Sequence, residues 1–153
     1  MKKILVSACL YGHKVRYDGK NKMETNPIFL KWKSEGRLIP FCPEVLGGLP
    51  TPRTPSQRVG DKVMTEDGRN VTYELVKGGG EALRLAKEND IAFAILKENS
   101  PSCGSNYIYD GTFTGTRTGR PRSSSSFNAG AGMRTACASK PSVRAISSNS
   151  SIE

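Results

Sequence analysis

The chain has 153 residues, of which 36% are hydrophobic and 24% charged. That is enough for one domain with a real core, slightly poor in apolar content, and no apolar run approaches the roughly 20 residues of a membrane span. The net charge of +9 would suit nucleic acid, but six Lys/Arg and only one acid lie from Arg117 onward, leaving 17 basic and 13 acidic side chains in residues 1–116. More than half of the excess thus lies in a tail, which argues against a nucleic-acid partner.

Met1-Lys2-Lys3 is basic, and the apolar stretch behind it, Ile4–Leu10, is broken by Ser7 and Cys9. It barely reaches the minimum for the apolar region of a signal peptide, about 7–15 residues. Ile4–Ala8 instead predicts a buried parallel strand. The expected location is the cytoplasm, where structural disulfides are rare and cysteines more often bind metal or do chemistry. Asn26-Pro27 then opens a helix, with Asn as N-cap and Pro at the first helical position. Ile28, Phe29 and Trp32 would form its apolar face, and Gly36 would end it. Arg37–Phe41 is the second expected strand.

Residues 42–60 hold four prolines and three glycines, which predicts a long loop rather than a regular element; loops of that length are usually functional. Val71–Asn89 predicts a helix, or two helical pieces around Gly78-Gly79-Gly80, with Leu75, Val76, Ala82, Leu83, Leu85 and Ala86 as its apolar face. Those glycines are no phosphate loop, since no Gly-Lys-Ser/Thr follows. Ile91–Leu96 is a third strand, apolar enough to be buried on both faces. Strand, helix, strand, helix, strand implies an α/β fold with a parallel sheet flanked by helices.

Three cysteines follow the three strands: Cys9, Cys42 and Cys103. If the strands are parallel neighbours, their carboxyl ends share the sheet edge where ligands of open α/β sheets bind. No C-x2-C pair is present, which disfavours a zinc finger or ribbon. Three gathered thiolates suit an iron–sulfur cluster with one open iron, or a zinc ion with an open fourth position. His13, the single histidine, reads as a solvated loop residue, and Cys137 as incidental.

Around these cysteines lie further candidates. Glu44, in Cys42-Pro43-Glu44, is placed to shuttle a proton. Ser100 and Ser102 flank Pro101 beside Cys103, where hydroxyls can orient substrate or bond to sulfur. Val15-Arg16-Tyr17-Asp18-Gly19 forms a compact polar cluster after the first strand, and Arg53 is a cation for an anionic group. Arg16, Tyr17, Asp18, Arg53 and Ser102 are the candidate substrate contacts.

Taken together, Ser7-Ala8-Cys9-Leu10, Val15-Arg16-Tyr17-Asp18-Gly19, Cys42-Pro43-Glu44, Thr51-Pro52-Arg53 and Ser100-Pro101-Ser102-Cys103-Gly104 resemble, in order and spacing, the thiouracil desulfurase family. The resemblance covers about residues 1–115. It implies a Rossmann-like sheet and a [4Fe-4S] cluster bound by Cys9, Cys42 and Cys103. It also implies that the free iron takes the sulfur of a thiolated pyrimidine, or a similar small thioamide, with water replacing that sulfur. Glu44 would be the acid/base and Ser100 would assist. Tyr11, where the family usually has leucine, and Thr54, in place of a frequent proline, are small departures.

The larger departure begins near Thr116. The family usually continues with an alanine- and leucine-rich helix and a final strand, whereas this chain has Ser123–Ser126, Ser147-Ser148 and Ser150-Ser151. Residues 1–115 are therefore expected to form the domain, and 116–153 a non-native or disordered tail lacking the last helix and strand. Serine codons AGC read one base later give GCA, alanine, so a shifted reading frame accounts for the serine run. The residues alone also leave room for a sulfide carrier, or for a non-catalytic metal- or nucleic-acid-binding module.

Overall fold

A computed structural model of the chain describes residues 1–97, 99–103, 107–119, 135–139, 142–144 and 146–147. The strands are β1 (Lys3–Ser7), β2 (Leu38–Phe41), β3 (Ser56–Val59), β4 (Lys62–Thr65), β5 (Ile91–Lys97), β6 (Tyr107–Tyr109), β7 (Arg117–Gly119), β8 (Thr135–Ser139), β9 (Ser142–Arg144) and β10 (Ile146–Ser147). The helices are α1 (Ala8–Tyr11), α2 (Pro27–Ser34), α3 (Pro43–Leu46) and α4 (Thr72–Glu88). The main sheet runs in the order β2-β1-β5-β8-β9, with β10 also paired to β5. β1 is parallel to both β2 and β5, and β8 is parallel to β5. This is the expected α/β architecture, with the three predicted strands as neighbours.

The pleat explains the two cores. Successive side chains of a strand point to opposite faces. Leu5, Ala94 and Leu96 therefore face α4, where they pack with Ala82 and Ala86. Ile4, Val6 and Ile95 face the other side, with Leu10 and Phe29. Helices cover both faces, as a parallel sheet requires. A third small cluster, Val63, Val71 and Leu75, seats the β3–β4 hairpin on α4.

α2 starts as predicted. The Asn26 side chain accepts from the Ile28 N–H at 2.9 Å, with Pro27 at the first turn. Its apolar face is narrower than expected. Phe29 is buried, Trp32 lies edge-on to Phe93 with ring centroids 5.6 Å apart, and Ile28 points outward at 57% exposure. Neighbouring helical residues diverge by about 100°, and with Phe29 turned into the core Ile28 falls on the solvent side. Val76 of α4 is exposed for the same reason: it stands beside buried Leu75.

The segment 42–60 is more ordered than its prolines and glycines imply. Pro43 occupies the first turn of α3, where its missing N–H costs nothing. Pro55 immediately precedes β3, a tolerated place for proline at a strand start. α4 runs unbroken through Gly78-Gly79-Gly80, despite a cost of roughly 1 kcal/mol per glycine relative to alanine. Tertiary contact explains Gly78: a Cβ there would overlap the Pro43 carbonyl. Gly47 is the reciprocal case, since its Cβ would overlap the Glu74 carbonyl. Two glycines thus let α3 lie backbone to backbone on α4, which sets the position of Cys42-Pro43-Glu44.

Among the described residues no helix is long and apolar enough to cross a membrane.

Candidate active site

The carboxyl ends of β2, β1 and β5 lie side by side, and each delivers one cysteine to the same place. Cys9 sits in α1, directly after β1. Cys42 follows Phe41, the last residue of β2. Cys103 follows β5 through Ser100-Pro101-Ser102. All three line one cavity of about 330 Å³ at this sheet edge. Glu44, Ser100, Ser102, Arg53, Arg16 and Tyr17 line it too.

Burial governs the thiols. It pushes Cys9 up to about 11, an effect opposed by the Lys97 ammonium. It pushes Cys103 up to about 12, opposed by a hydrogen bond from the Ser7 hydroxyl. Cys42 is raised as well, again mainly by burial, with the Val45 N–H opposing. A thiol in this setting keeps its proton until a metal displaces it. Each sulfur nevertheless has donors aimed at it, suited to the charged form. The Leu10 N–H serves Cys9, the Val45 and Glu44 N–H groups serve Cys42, and the Ser7 hydroxyl serves Cys103. This donor set fits a thiolate-bound group. Among the described residues no three His, Cys, Asp or Glu side chains converge as a single metal ion requires; the three cysteines line the cavity apart from one another.

The hydroxyls form a directed chain. Ser100 Oγ accepts the N–H groups of Ser102 at 3.3 Å and Cys103 at 3.2 Å. Its own proton is then available to Ser102 Oγ, 3.0 Å away. Ser102 in turn donates to Glu44 Oε1 at 3.2 Å. The other oxygen, Oε2, is held by Arg53 Nε at 2.7 Å, an ion pair almost wholly buried. Arg53 also donates to the carbonyls of Pro50 and Val15 and to the Thr51 hydroxyl. It is therefore a clamp that fixes Glu44 and joins its own loop to α3 and to the loop of Val15, as well as part of the cavity wall.

Ser7 completes the other side. Its Oγ accepts the Lys97 N–H at 3.0 Å, which directs its single proton toward Cys103. Arg16 and Tyr17 form the outer wall, the guanidinium lying 5.9 Å from the ring centroid. Asp18 is not among the lining residues: it pairs with Arg16 at 3.5 Å and takes the Lys20 N–H at 3.0 Å. His13 packs edge-on against Tyr11, away from the cavity lining. Gly104 lies outside the described residues, and of Cys137 the backbone alone is described, in register with Leu96.

Comparison with known proteins places the chain in a family. The family model described as 2-thiouracil desulfurase matches residues 4–139. The chain belongs to the 2-thiouracil desulfurase family. Family membership thus extends beyond the motif-bearing residues 1–115 and takes in β8. A curated relative, the uncharacterized protein YbbK of Bacillus subtilis (strain 168), is 36% identical over 156 residues, covering 95% of each chain. A solved structure, the [4Fe-4S]-dependent thiouracil desulfidase TudS, is 45% identical with a TM-score of 0.78, covering 84% of this chain and 89% of that one.

Among the lining residues that sequence reasoning missed are Ser7, Lys97 and Gln57. Ser7 and Lys97 carried a readable signal, because each is the last residue of a strand whose end was already assigned to the site. Gln57 carried none, since it falls in a segment read as loop.

Proposed function

We propose that this desulfurase-family chain removes sulfur from a thiolated pyrimidine of the 2-thiouracil type, or a similar small thioamide, with Cys9, Cys42 and Cys103 holding a [4Fe-4S] cluster by three of its corners. The observation that carries this reading is the convergence of three thiols from three adjacent parallel strands on the cavity that also holds Glu44. The TudS neighbour is described as [4Fe-4S]-dependent, and the donors aimed at each sulfur here suit such a ligand set. When bound, the cluster supplies a soft metal corner without a protein ligand, which suits a sulfur atom.

The net reaction is redox-neutral. Water oxygen replaces the thiocarbonyl sulfur, and sulfide leaves with the two protons of that water. Glu44 holds or moves a proton at Oε1, because Oε2 is tied to Arg53. Ser102 and Ser100 extend that path toward the substrate. Arg53 keeps the carboxylate in place, and Arg16 and Tyr17 supply a cationic and a flat surface for the ring.

The test is anaerobic loading with iron and sulfide, followed by an assay for sulfide and uracil from 2-thiouracil. Brown colour and release of both products are expected. Replacing any one of Cys9, Cys42 or Cys103 by serine should abolish them, while Cys137→Ser should not. A fully active Cys42→Ser variant would sink the cluster assignment. A loaded protein that carries sulfide but forms no uracil would make the chain a carrier.

A further inference from the structure

Gln57 stands on β3, opposite Met64 of β4, and its side chain reaches the cavity. Its Oε1 accepts two backbone N–H groups from a distant segment, Gly111 at 3.0 Å and Phe113 at 3.2 Å. Only the oxygen end of a carboxamide can accept, so these partners fix which way the amide points. The segment they belong to is seated hard on the hairpin. Gly111 has φ +91, and a Cβ there would overlap the Arg58 carbonyl. Tyr109 and Gly115, on either side of this segment, also line the cavity.

The opposite end of the amide is a donor held in place before any ligand arrives. Among the described residues nothing accepts a hydrogen bond from Gln57 Nε2, and that atom is not among the buried polar atoms left unpaired, so it is an accessible donor on a residue that lines the cavity. This wall comes from the hairpin and the 110–115 segment, whereas the thiols come from the strand ends. A pyrimidine with its sulfur among the thiols leaves its other exocyclic group for a different wall.

We propose that Gln57 is the specificity-determining residue of this site: its fixed –NH2 donates to a ring carbonyl and selects 4-oxo over 4-amino 2-thiopyrimidines. The ring class rests on the function proposed above; the donor character rests on the Gln57 geometry. A 4-oxo ring offers an acceptor to Nε2. A 4-amino ring offers a second donor and leaves both groups unmet, and sites built to hydrogen-bond one group reject analogues that lack it.

Gln57→Glu is the decisive variant. A carboxylate still accepts the Gly111 and Phe113 N–H groups, so the segment stays seated, but the end facing the cavity becomes an acceptor. Gln57→Met removes both functions and serves as the second variant, with thermal melts confirming folding. Binding of uracil and of cytosine is measured first, by calorimetry or ligand-observed NMR, since it needs no turnover. Wild type should favour uracil by on the order of tenfold, the worth of one hydrogen bond. Gln57→Glu should reverse the preference, and Gln57→Met should erase it. With cluster-loaded protein, the kcat/KM ratio of 2-thiouracil to 2-thiocytosine should follow the same order. Equal binding of the two bases by wild type, no binding of either, or an unreversed preference in Gln57→Glu overturns the proposal. If uracil binding and its reversal hold but no sulfide is released from either thiopyrimidine, the desulfurase reading fails and the specificity assignment stands.

Discussion

The cavity has two walls of different origin. The sulfur wall is made where three parallel strands end, so Cys9, Cys42 and Cys103 arrive together by topology. The hairpin wall is made by long-range seating, with Gln57 joined to two N–H groups of one segment, 54 and 56 residues further along the chain. A wall fixed by topology suits chemistry, which needs groups held in one place. A wall assembled from a hairpin and a loop suits selection, because its residues can change without moving the strand ends. The sharpest form of this contrast is that sulfur-wall variants should lose turnover, while hairpin-wall variants should change which substrate turns over.

The largest expected effect after loss of a cysteine comes from Glu44→Gln. The change removes the proton acceptor at Oε1 and lowers turnover by about a hundredfold or more. It also leaves the Arg53 guanidinium buried without its countercharge, which costs about 3 kcal/mol. Assays well below the melting temperature separate the two losses. Cluster content should not fall, because the Glu44 N–H that serves Cys42 is backbone and the carboxylate charge that is lost disfavours the thiolate. Turnover within twofold of wild type would remove Glu44 from the chemistry and reduce the Arg53 pair to scaffolding.

Next comes a pair of substitutions in the support behind the sulfur wall. Gly78→Ala places a methyl against the Pro43 carbonyl and should destabilise by about 2 kcal/mol, the usual scale of overpacking. Because α3 carries Glu44 and directly follows Cys42, it should also lower cluster retention. Gly80 has open space around its Cα, so Gly80→Ala should stabilise by up to about 1 kcal/mol through helix propensity alone. Thermal melts of the two variants should move in opposite directions. A shift in the same direction would mean that the three glycines act together as a flexible point rather than one of them as a contact.

The two walls also differ in how far the sequence revealed them. Short apolar runs located β1, β2 and β5, and Asn26-Pro27 located the start of α2, because these signals are local. Three cysteines at equivalent strand ends then implied one site before any contact was known. Ile28 was misplaced because a list of apolar residues does not resolve which side of a short helix faces the sheet. The hairpin was missed because Pro43 and Pro55 were read as breakers, when one starts a helix and the other precedes a strand. Arg53 was read as a cation for a ligand; its ion pair with Glu44 and its three other hydrogen bonds depend on loops that only the fold brings together. The division near residue 115, and the shifted reading frame behind it, remain our inference from the serine-rich composition. The coding DNA tests it, and close relatives that carry this same stretch in an intact frame would refute it.

The smallest expected effect lies in the segment that seats on Gln57. Asp110 Oδ1 accepts from the Thr112 N–H at 2.9 Å and from the Thr112 hydroxyl at 2.6 Å. The hydroxyl is the main reason that the Asp110 carboxyl is held below the usual carboxylate range. Since the folded value lies below the unfolded one, this contact stabilises the turn above the unfolded value, near 3.9 in model peptides. The contribution is lost as pH falls through the folded value. Thr112→Val should therefore raise the Asp110 titration toward that of an ordinary aspartate, as read by NMR of its carboxyl carbon. The uracil-to-cytosine preference near neutral pH should change by less than about twofold, because the two N–H bonds to Gln57, each worth of order 1 kcal/mol, remain. If the preference collapses instead, the turn rather than the Gln57 clamp holds the hairpin wall. An unmoved titration would mean that the Thr112 hydroxyl does not act on Asp110 in solution.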